Sequence, residues 1–228
     1  MSTRFALVVV ILTSMVASKA VAGEEPGSSF AATPLRTVTL VWMDPAAVAS
    51  GLELVARHEA RLLLARMGAS VSWQREEAGG SARTGQVRVI LLDRAAARGP
   101  GMPVLGATPP RFEVSPYLWV HVPNVRAALG LSPRGGTTSL EPPMLRALGI
   151  ALGRVIAHEV VHALAPSVPH GKGLMSASLS RPQLTSASIA IEEGAVLGVQ
   201  AALRGDPFLP RSDPGVMAAA VSDDERRR

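Results

Sequence analysis

In the first half of the chain, the spacing of the apolar residues is typical of a helix in one stretch and of strands in several others. Residues 45–67 carry them at helical spacing, with a proline at the start and Gly68 just past the end, which predicts a long helix. Short runs of apolar or β-branched residues predict strands. These runs cover residues 36–42, 71–73, 87–92 and 117–122.

The second half carries a longer and more uniformly apolar segment. Residues 144–164 are apolar nearly all round at helical spacing and follow two prolines, so we predict a buried helix there. A short helix is predicted over 124–129 and a closing helix over 183–203, whereas 94–115 and 130–143 are rich in glycine and proline and predict loops. This order of elements predicts an α+β domain with a small twisted sheet, a backing helix, a buried helix and a C-terminal helix.

The N-terminal residues have the pattern of a secretory signal peptide. Arg4 supplies a positive charge, residues 5–16 form a short apolar stretch, and residues 20–22 are the small residues of a cleavage site. We therefore expect residues 1–22 to be removed on export, which makes the mature protein secreted or periplasmic. Retention of this segment as an uncleaved anchor is the alternative.

The rest of the chain is predicted to form one domain between two mobile ends. Residues 23–34 are rich in glycine, serine and proline and predict a flexible lead-in, residues 35–210 form the domain, and residues 211–228 form a mobile tail. The next most apolar run after the signal peptide contains charged residues. We therefore predict no stable membrane span once the signal is cleaved.

Charge and cysteine content exclude several classes of partner and site. The formal net charge is +5, and loss of Arg4 and Lys19 with the signal peptide lowers it to +3. Because the basic residues are scattered and only 4% of the residues are aromatic, we predict no nucleic-acid partner. The chain has no cysteine, which excludes a disulfide scaffold and a thiolate metal site.

One short motif on the predicted buried helix carries chemistry. His158, Glu159 and His162 form an HExxH pattern. Residues four apart on a helix lie on the same face, so the two histidines can offer nitrogens to one metal ion. The glutamate beside the first histidine can then reach a water molecule at that metal. This is the pattern of two zinc ligands and a general base in zinc peptidases.

A third histidine follows at a distance that suits a third ligand. Catalytic zinc sites use three protein ligands and keep a fourth position open. His170 lies eight residues after His162, and Pro166 and Pro169 between them cannot continue the helix and would bend the chain back. We therefore predict His170 as the third ligand.

Residues 142–180 resemble the metzincin branch of the zincin metallopeptidases. In that family a third histidine follows HExxH, and a turn containing methionine forms a floor under the metal. Here Met175 follows His170 by five residues. The loop between the second and third histidines is two residues longer than in the metzincin pattern, Ala165 takes the place of its glycine, and Ala177 stands where some metzincins have a tyrosine.

The resemblance implies a fold, a cofactor and a reaction. It implies a zincin-like α+β domain and an exported zinc metallopeptidase that hydrolyses peptide bonds in a peptide or protein substrate. Glu159 would be the catalytic residue, activating a zinc-bound water, and Met175 would lie in the floor of the site. The implied ligands of Zn²⁺ are His158, His162 and His170.

Alternatives remain for the ligand set and for the activity. A carboxylate from Glu192 or Glu193, about thirty residues past the motif, would replace His170 in a gluzincin-like site. The motif is also compatible with a structural accident on a buried helix, or with a non-catalytic exported metal-binding or interaction domain on a zincin scaffold. The deformylase use of HExxH needs a cysteine ligand and is excluded.

Three further polar or aromatic side chains have both a functional and a plain interpretation. Tyr117 and His121 lie on a predicted strand that, in the resembled fold, can edge the cleft and pair with an extended substrate. We give more weight to packing or solvent exposure for both. His58 lies among charged residues on the first helix and is predicted to be a surface histidine.

Overall fold

The computed structural model describes residues 37–75, 86–99, 103–109 and 116–205. All of them belong to the second of the two units into which the chain divides, Pro34–Arg228. The predicted signal peptide, the lead-in and the C-terminal tail lie outside the described residues.

Five strands of the described chain form one mixed sheet. Their bounds are Thr37–Met43 (β1), Ser70–Arg75 (β2), Gln86–Leu92 (β3), Gly106–Ala107 (β4) and Tyr117–His121 (β5). Their order in the sheet is β2-β1-β3-β5-β4. The pairs β1–β2, β1–β3 and β3–β5 are parallel, and β4 pairs antiparallel with β5 at the end of the sheet.

The register of the parallel strands places their alternate residues on one buried face. Leu40 of β1 lies opposite Val87 of β3, and Val89 of β3 lies opposite Leu118 of β5. These side chains are buried and belong to a single hydrophobic core together with the apolar faces of the helices. The period-two pattern read from the sequence therefore decides which face of the sheet packs against the helices.

Five α-helices and one 3₁₀ turn complete the described part of the chain. Their bounds are Glu53–Arg66 (α1), Val122–Ala128 (α2), Pro142–Leu164 (α3), Gly173–Met175 (the 3₁₀ turn), Arg181–Thr185 (α4) and Glu193–Arg204 (α5). The predicted α+β fold class is confirmed.

The long apolar helix α3 lies in the core and packs closely against α1. A Cβ atom at Gly153 would lie 2.6 Å from the backbone oxygen of Ala56, so the glycine is what allows the two helices to approach. Within the described residues α3 is the helix long and apolar enough to cross a membrane, but 72% of its apolar window is buried in the domain, as in a core helix. The helix predicted over 144–164 is confirmed.

The start of the first helix was predicted wrongly. Residues 45–52 form turns, and α1 begins at Glu53. The Asp44 carboxylate accepts hydrogen bonds from the backbone N–H groups of Val48 and Ala49, both at 2.9 Å. Ala47 has a φ of 51°. A left-handed residue cannot continue a right-handed helix, so the helical spacing is overridden by a side-chain-stabilised turn.

The predicted closing helix over 183–203 is two helices, α4 and α5. The Ser186 hydroxyl donates to the backbone oxygen of Ser188 (2.6 Å), and the backbone oxygen of Ser186 accepts from Arg154 (2.7 Å). Both bonds compete with helical pairing and end α4. The segment predicted as a loop over 94–115 also contains an unpredicted element, the two-residue strand β4.

Candidate metal centre

Three histidine side chains meet at the end of α3. His158 and His162 lie one helical turn apart, and His170 approaches from the segment that follows the helix. One ring nitrogen from each lies within 4.8 Å of the others, and the Nε2 atoms of His162 and His170 are 3.2 Å apart. The sequence predicted these three residues to converge, and the structure brings them together in a triad that can hold a metal ion.

The chain returns to the helix because α3 ends sharply. Ala165 has a non-helical conformation, and the backbone N–H of Val168 donates to the oxygen of Ala165 in a turn (3.0 Å). The side chain of Val168 is buried, whereas the two prolines beside it are exposed. The apolar anchor in a proline-broken turn is what directs His170 back toward the helix.

A backbone carbonyl orients the first histidine. The ring nitrogen Nδ1 of His158 lies 2.7 Å from the backbone oxygen of Leu174, in the 3₁₀ turn. Since a carbonyl can only accept, Nδ1 donates, and Nε2 of the neutral ring is left as a lone-pair donor toward the triad. The turn that contains Met175 thus fixes the tautomer of a ligand.

Burial keeps two of the three rings neutral. Burial lowers the pKa of His158, against a smaller raising effect of its bond to Leu174. The pKa of His162 is lowered to about 4, first by burial and then by the neighbouring histidines. Neutral imidazoles are the form that binds metal, so protons do not compete for these two ligands at neutral pH.

The arrangement fits a tetrahedral ion such as Zn²⁺. Nitrogen ligands about 2.0–2.1 Å from a tetrahedral zinc lie roughly 3.3 Å from one another. The separation of 3.2 Å between Nε2 of His162 and Nε2 of His170 is close to that value. Three imidazole nitrogens from two segments are a donor set found in catalytic zinc sites.

Glu159 lies beside the triad in a buried setting. Its Oε1 atom is 4.0 Å from Nε2 of His158, and only 6% of the residue is exposed. The Thr108 hydroxyl donates to Oε2 at 2.8 Å and also lies 3.0 Å from the backbone oxygen of Glu159. Burial raises the pKa of Glu159 to about 7, although the bond from Thr108 opposes this shift.

Strand β4 covers Glu159 because it carries a glycine at the contact. A Cβ atom at Gly106 would lie 2.7 Å from Cγ of Glu159 and 2.9 Å from Cγ1 of Val155. Sequence analysis missed both Gly106 and Thr108, because a two-residue strand has no periodicity to read. Their contact with Glu159 joins residues about fifty positions apart, so it depends on the tertiary structure.

Met175 is fully buried, in the turn whose carbonyl holds His158. Its backbone oxygen accepts a hydrogen bond from the N–H of Gly171 (2.8 Å), the residue after His170. The turn therefore ties the third histidine to the first. That the Met175 side chain forms a floor beneath a metal stays a prediction.

The glutamates considered as an alternative third ligand have other surroundings. Glu192 accepts a hydrogen bond from the backbone N–H of Lys172 at 2.7 Å, and Glu193 is exposed at the first turn of α5. Neither belongs to a group of metal-ligating side chains in the described residues, where His170 takes that place.

Tyr117 and His121 pack within the sheet. His121 is buried, and its Nδ1 atom lies 2.9 Å from the backbone oxygen of Arg94. The ring of Tyr117 contacts that of Trp119 edge-on, with centroids 5.1 Å apart. Their strand, β5, lies between β3 and β4, so β4 takes the position at the end of the sheet. His58 is exposed on α1, as predicted.

A buried arginine joins the site to the rest of the domain. Arg154, one turn before His158, is 2% exposed and donates to Glu59 (2.9 Å), to the backbone oxygen of Gln183 (2.6 Å) and to that of Ser186 (2.7 Å). The Gln183 amide in turn donates to the backbone oxygen of Gly173 at 3.1 Å. Helices α1, α3 and α4 and the 3₁₀ turn are thereby linked. Sequence analysis did not single out this charge on an apolar helix.

A cavity of about 260 Å³ opens beside the triad. It lies between the segment that contains β4, helix α3 and the residues that follow the 3₁₀ turn. Glu159, His158 and His170 line it together with Arg98. Two of the three candidate ligands thus face a space that a small group can enter.

No family model, no curated protein and no solved structure matches this chain.

Proposed function

We propose that this protein is an exported zinc metallopeptidase of the zincin type, similar to the metzincins. The observation that carries the proposal is the meeting of His158, His162 and His170 around one point with Glu159 beside it. The Nε2 atoms of His162 and His170 lie 3.2 Å apart, close to the spacing of two nitrogen ligands on one tetrahedral zinc ion.

The three histidines would hold Zn²⁺ and leave one position open. When bound, Zn²⁺ would activate a water molecule by lowering its pKa toward ~7 and would polarise the substrate carbonyl. The chain itself supplies the proton transfer. Glu159 would take a proton from the attacking water on Oε1, the oxygen nearer His158, and pass it to the leaving amine. Thr108 would hold Oε2 and so fix the direction of Oε1.

The raised pKa of Glu159 suits a group that accepts a proton and then gives it up near neutral pH.

The position of β4 suits an extended substrate. It pairs with β5 along one edge, next to Glu159, and a peptide can add to a strand at the end of a sheet through backbone hydrogen bonds. A peptide or protein substrate is therefore the proposed class, met in the periplasm or outside the cell.

The test is metal analysis of the chain from residue 23 together with cleavage of a peptide library. We expect about one zinc ion per chain and cleavage that stops with a chelator and returns with added zinc. The same preparation of His162→Ala, which removes one proposed ligand, controls for contaminating proteases. A protein that holds no zinc, or cleavage that survives both the chelator and this variant, contradicts the proposal.

A further inference from the structure

The cavity beside the histidine triad has an unusual balance of charge. Apart from Glu159, no acidic residue of the described chain lines it, whereas Arg98 does. Arg98 is exposed and makes no ion pair with any described residue. The Glu159 carboxylate accepts its hydrogen bond from Thr108.

The walls of this cavity are suited to a short apolar stem. Val104, Leu105, Val155 and Leu179 line it, together with the exposed Ser178. A volume of about 260 Å³ is below the ~300–1,000 Å³ of pockets for drug-sized ligands and suits a single side chain or chain end. A group that enters it would bury methylene carbon against these walls and carry its polar end toward Arg98.

We propose that Arg98 is a specificity-determining residue that binds a carboxylate group of the substrate in this cavity, beside the scissile bond. The proposal rests on the metallopeptidase function and names its substrate class: peptides with an acidic side chain, or a free C-terminus, next to the bond that is cut. A guanidinium has a planar pair of donors that matches the two oxygens of a carboxylate.

The electrostatics of the site agree with this role. Arg98 lowers the pKa values of His158, Glu159 and His162, although burial is the largest influence on each. Its positive charge therefore acts on the reacting groups. A bound zinc ion would add further positive charge and make the same space still more favourable for an anion and less so for a lysine or arginine side chain.

The experiment compares matched peptides on four proteins. A peptide series places Glu, Gln or Lys at each position on either side of the cleaved bond, and a second series ends in a free carboxylate or an amide. The proteins are the wild type, Arg98→Gln, Arg98→Glu and the control Arg94→Gln. Arg94 is an exposed arginine of the same segment that does not line the cavity, so its loss changes the net charge equally.

We expect the wild type to prefer Glu over Gln at one position on the order of tenfold in kcat/KM, which a charge-assisted hydrogen bond at a partly solvated rim provides. Arg98→Gln should lose this preference, Arg98→Glu should prefer the Lys peptide, and Arg94→Gln should keep the wild-type preference. A preference for the acid over the amide terminus would identify the chain end as the source of the carboxylate.

A binding measurement separates this inference from the peptidase function. Calorimetry on zinc-loaded Glu159→Gln should show tighter binding of the Glu peptide than of the Gln peptide, with the difference abolished by adding Arg98→Gln. Arg98-dependent binding without any cleavage by the wild type would uphold the carboxylate site and refute the peptidase. Cleavage with no acidic preference, or a preference that survives Arg98→Gln, would overturn the role of Arg98 and leave the peptidase standing.

Discussion

Two cavities in the described part of the chain differ in how their charged groups are satisfied. The larger, about 400 Å³, lies at the end of β1 and the start of α1. There Asp44 accepts two backbone hydrogen bonds, and Glu53 pairs with Arg57 at 2.6 Å and with Arg75 at 2.8 Å. The smaller, about 260 Å³, is lined by Glu159 and by two histidines of the triad, His158 and His170, and Glu159 makes no ion pair with a lysine or arginine of the described residues.

The candidate metal centre lies beside the smaller cavity, and the state of the acidic groups distinguishes the two. In the larger one, hydrogen bonds from Arg75 and Arg57 keep the pKa of Glu53 below its ordinary value, against a smaller opposing effect of burial. In the smaller one, burial raises the pKa of Glu159 to about 7. Charges that neutralise one another stabilise a fold, whereas ionisable groups left without a counter-charge are available to a metal or a substrate.

The largest expected difference between the cavities is in catalysis. Glu159→Gln should lower kcat by roughly 10²–10⁴-fold, which is the usual contribution of a general base, and should leave the zinc content unchanged. Glu53→Gln should leave kcat unchanged. Peptide hydrolysis and metal analysis of both variants measure this. Loss of zinc in Glu159→Gln would make the glutamate a ligand and remove its role as base.

We expect zinc affinity to depend on the three histidines of the triad and not on the exposed histidine of α1. His170→Ala should weaken zinc binding by more than the ~10–100-fold that loss of an outer-shell partner costs, because it removes a direct ligand. The fall in affinity should lower the melting temperature of the zinc-loaded protein. His58→Ala, at the exposed histidine of α1, is the control. Equal zinc affinity in both variants would show that the triad is not the metal site.

Two arginine–glutamate pairs separate buried from exposed charge. Arg154 is almost fully buried and also bonds backbone oxygens, whereas the side chain of Arg75 is 77% exposed. Arg154→Met should cost about 3–5 kcal/mol of unfolding free energy, because it leaves Glu59 and these oxygens without donors. Arg75→Met should cost much less, because solvent screens an exposed ion pair. Urea denaturation measures both, and similar costs would contradict the distinction.

The smallest expected effect is on the pH dependence of stability without metal. Because the folded-state pKa of Glu159 is raised from 4.5 to about 7, the carboxyl ionises first in the unfolded chain, and the folded state loses stability as the pH rises through this window. The variant Glu159→Gln has no carboxyl to ionise and so does not lose this stability. Its unfolding free energy relative to the wild type should therefore rise from pH 4.5 to pH 7, by roughly 3 kcal/mol at most.

Glu53 is the control, because its pKa is shifted in the opposite direction from that of Glu159. Its pKa is lowered, so its contribution is present above pH 4.5 and is lost only as the pH falls further. The stability difference between Glu53→Gln and the wild type should therefore stay constant from pH 5 to pH 7.5. Melting curves in chelator measure both differences, and a constant difference for Glu159→Gln would contradict the raised pKa.

The sequence predicted the elements whose signal is local. A run of apolar residues after two prolines predicts helix α3, and runs of β-branched residues predict the parallel strands. It also predicted that His158 and His162 share a helix face, since that follows from helical geometry alone. The convergence of His170 with them was predicted from two prolines and a resemblance, and the structure brings the three together.

Contacts between distant residues were decided only by the tertiary structure. The turn at Asp44 that delays α1, the break at Ser186 that divides the closing helix, and the two-residue strand β4 all depend on single hydrogen bonds or close approaches that leave no periodic trace. The surroundings of Glu159 are of this kind as well. The HExxH motif identifies this glutamate in the sequence. Its burial, its bond to Thr108 and its pKa, however, arise from segments about fifty residues apart that only folding brings into contact.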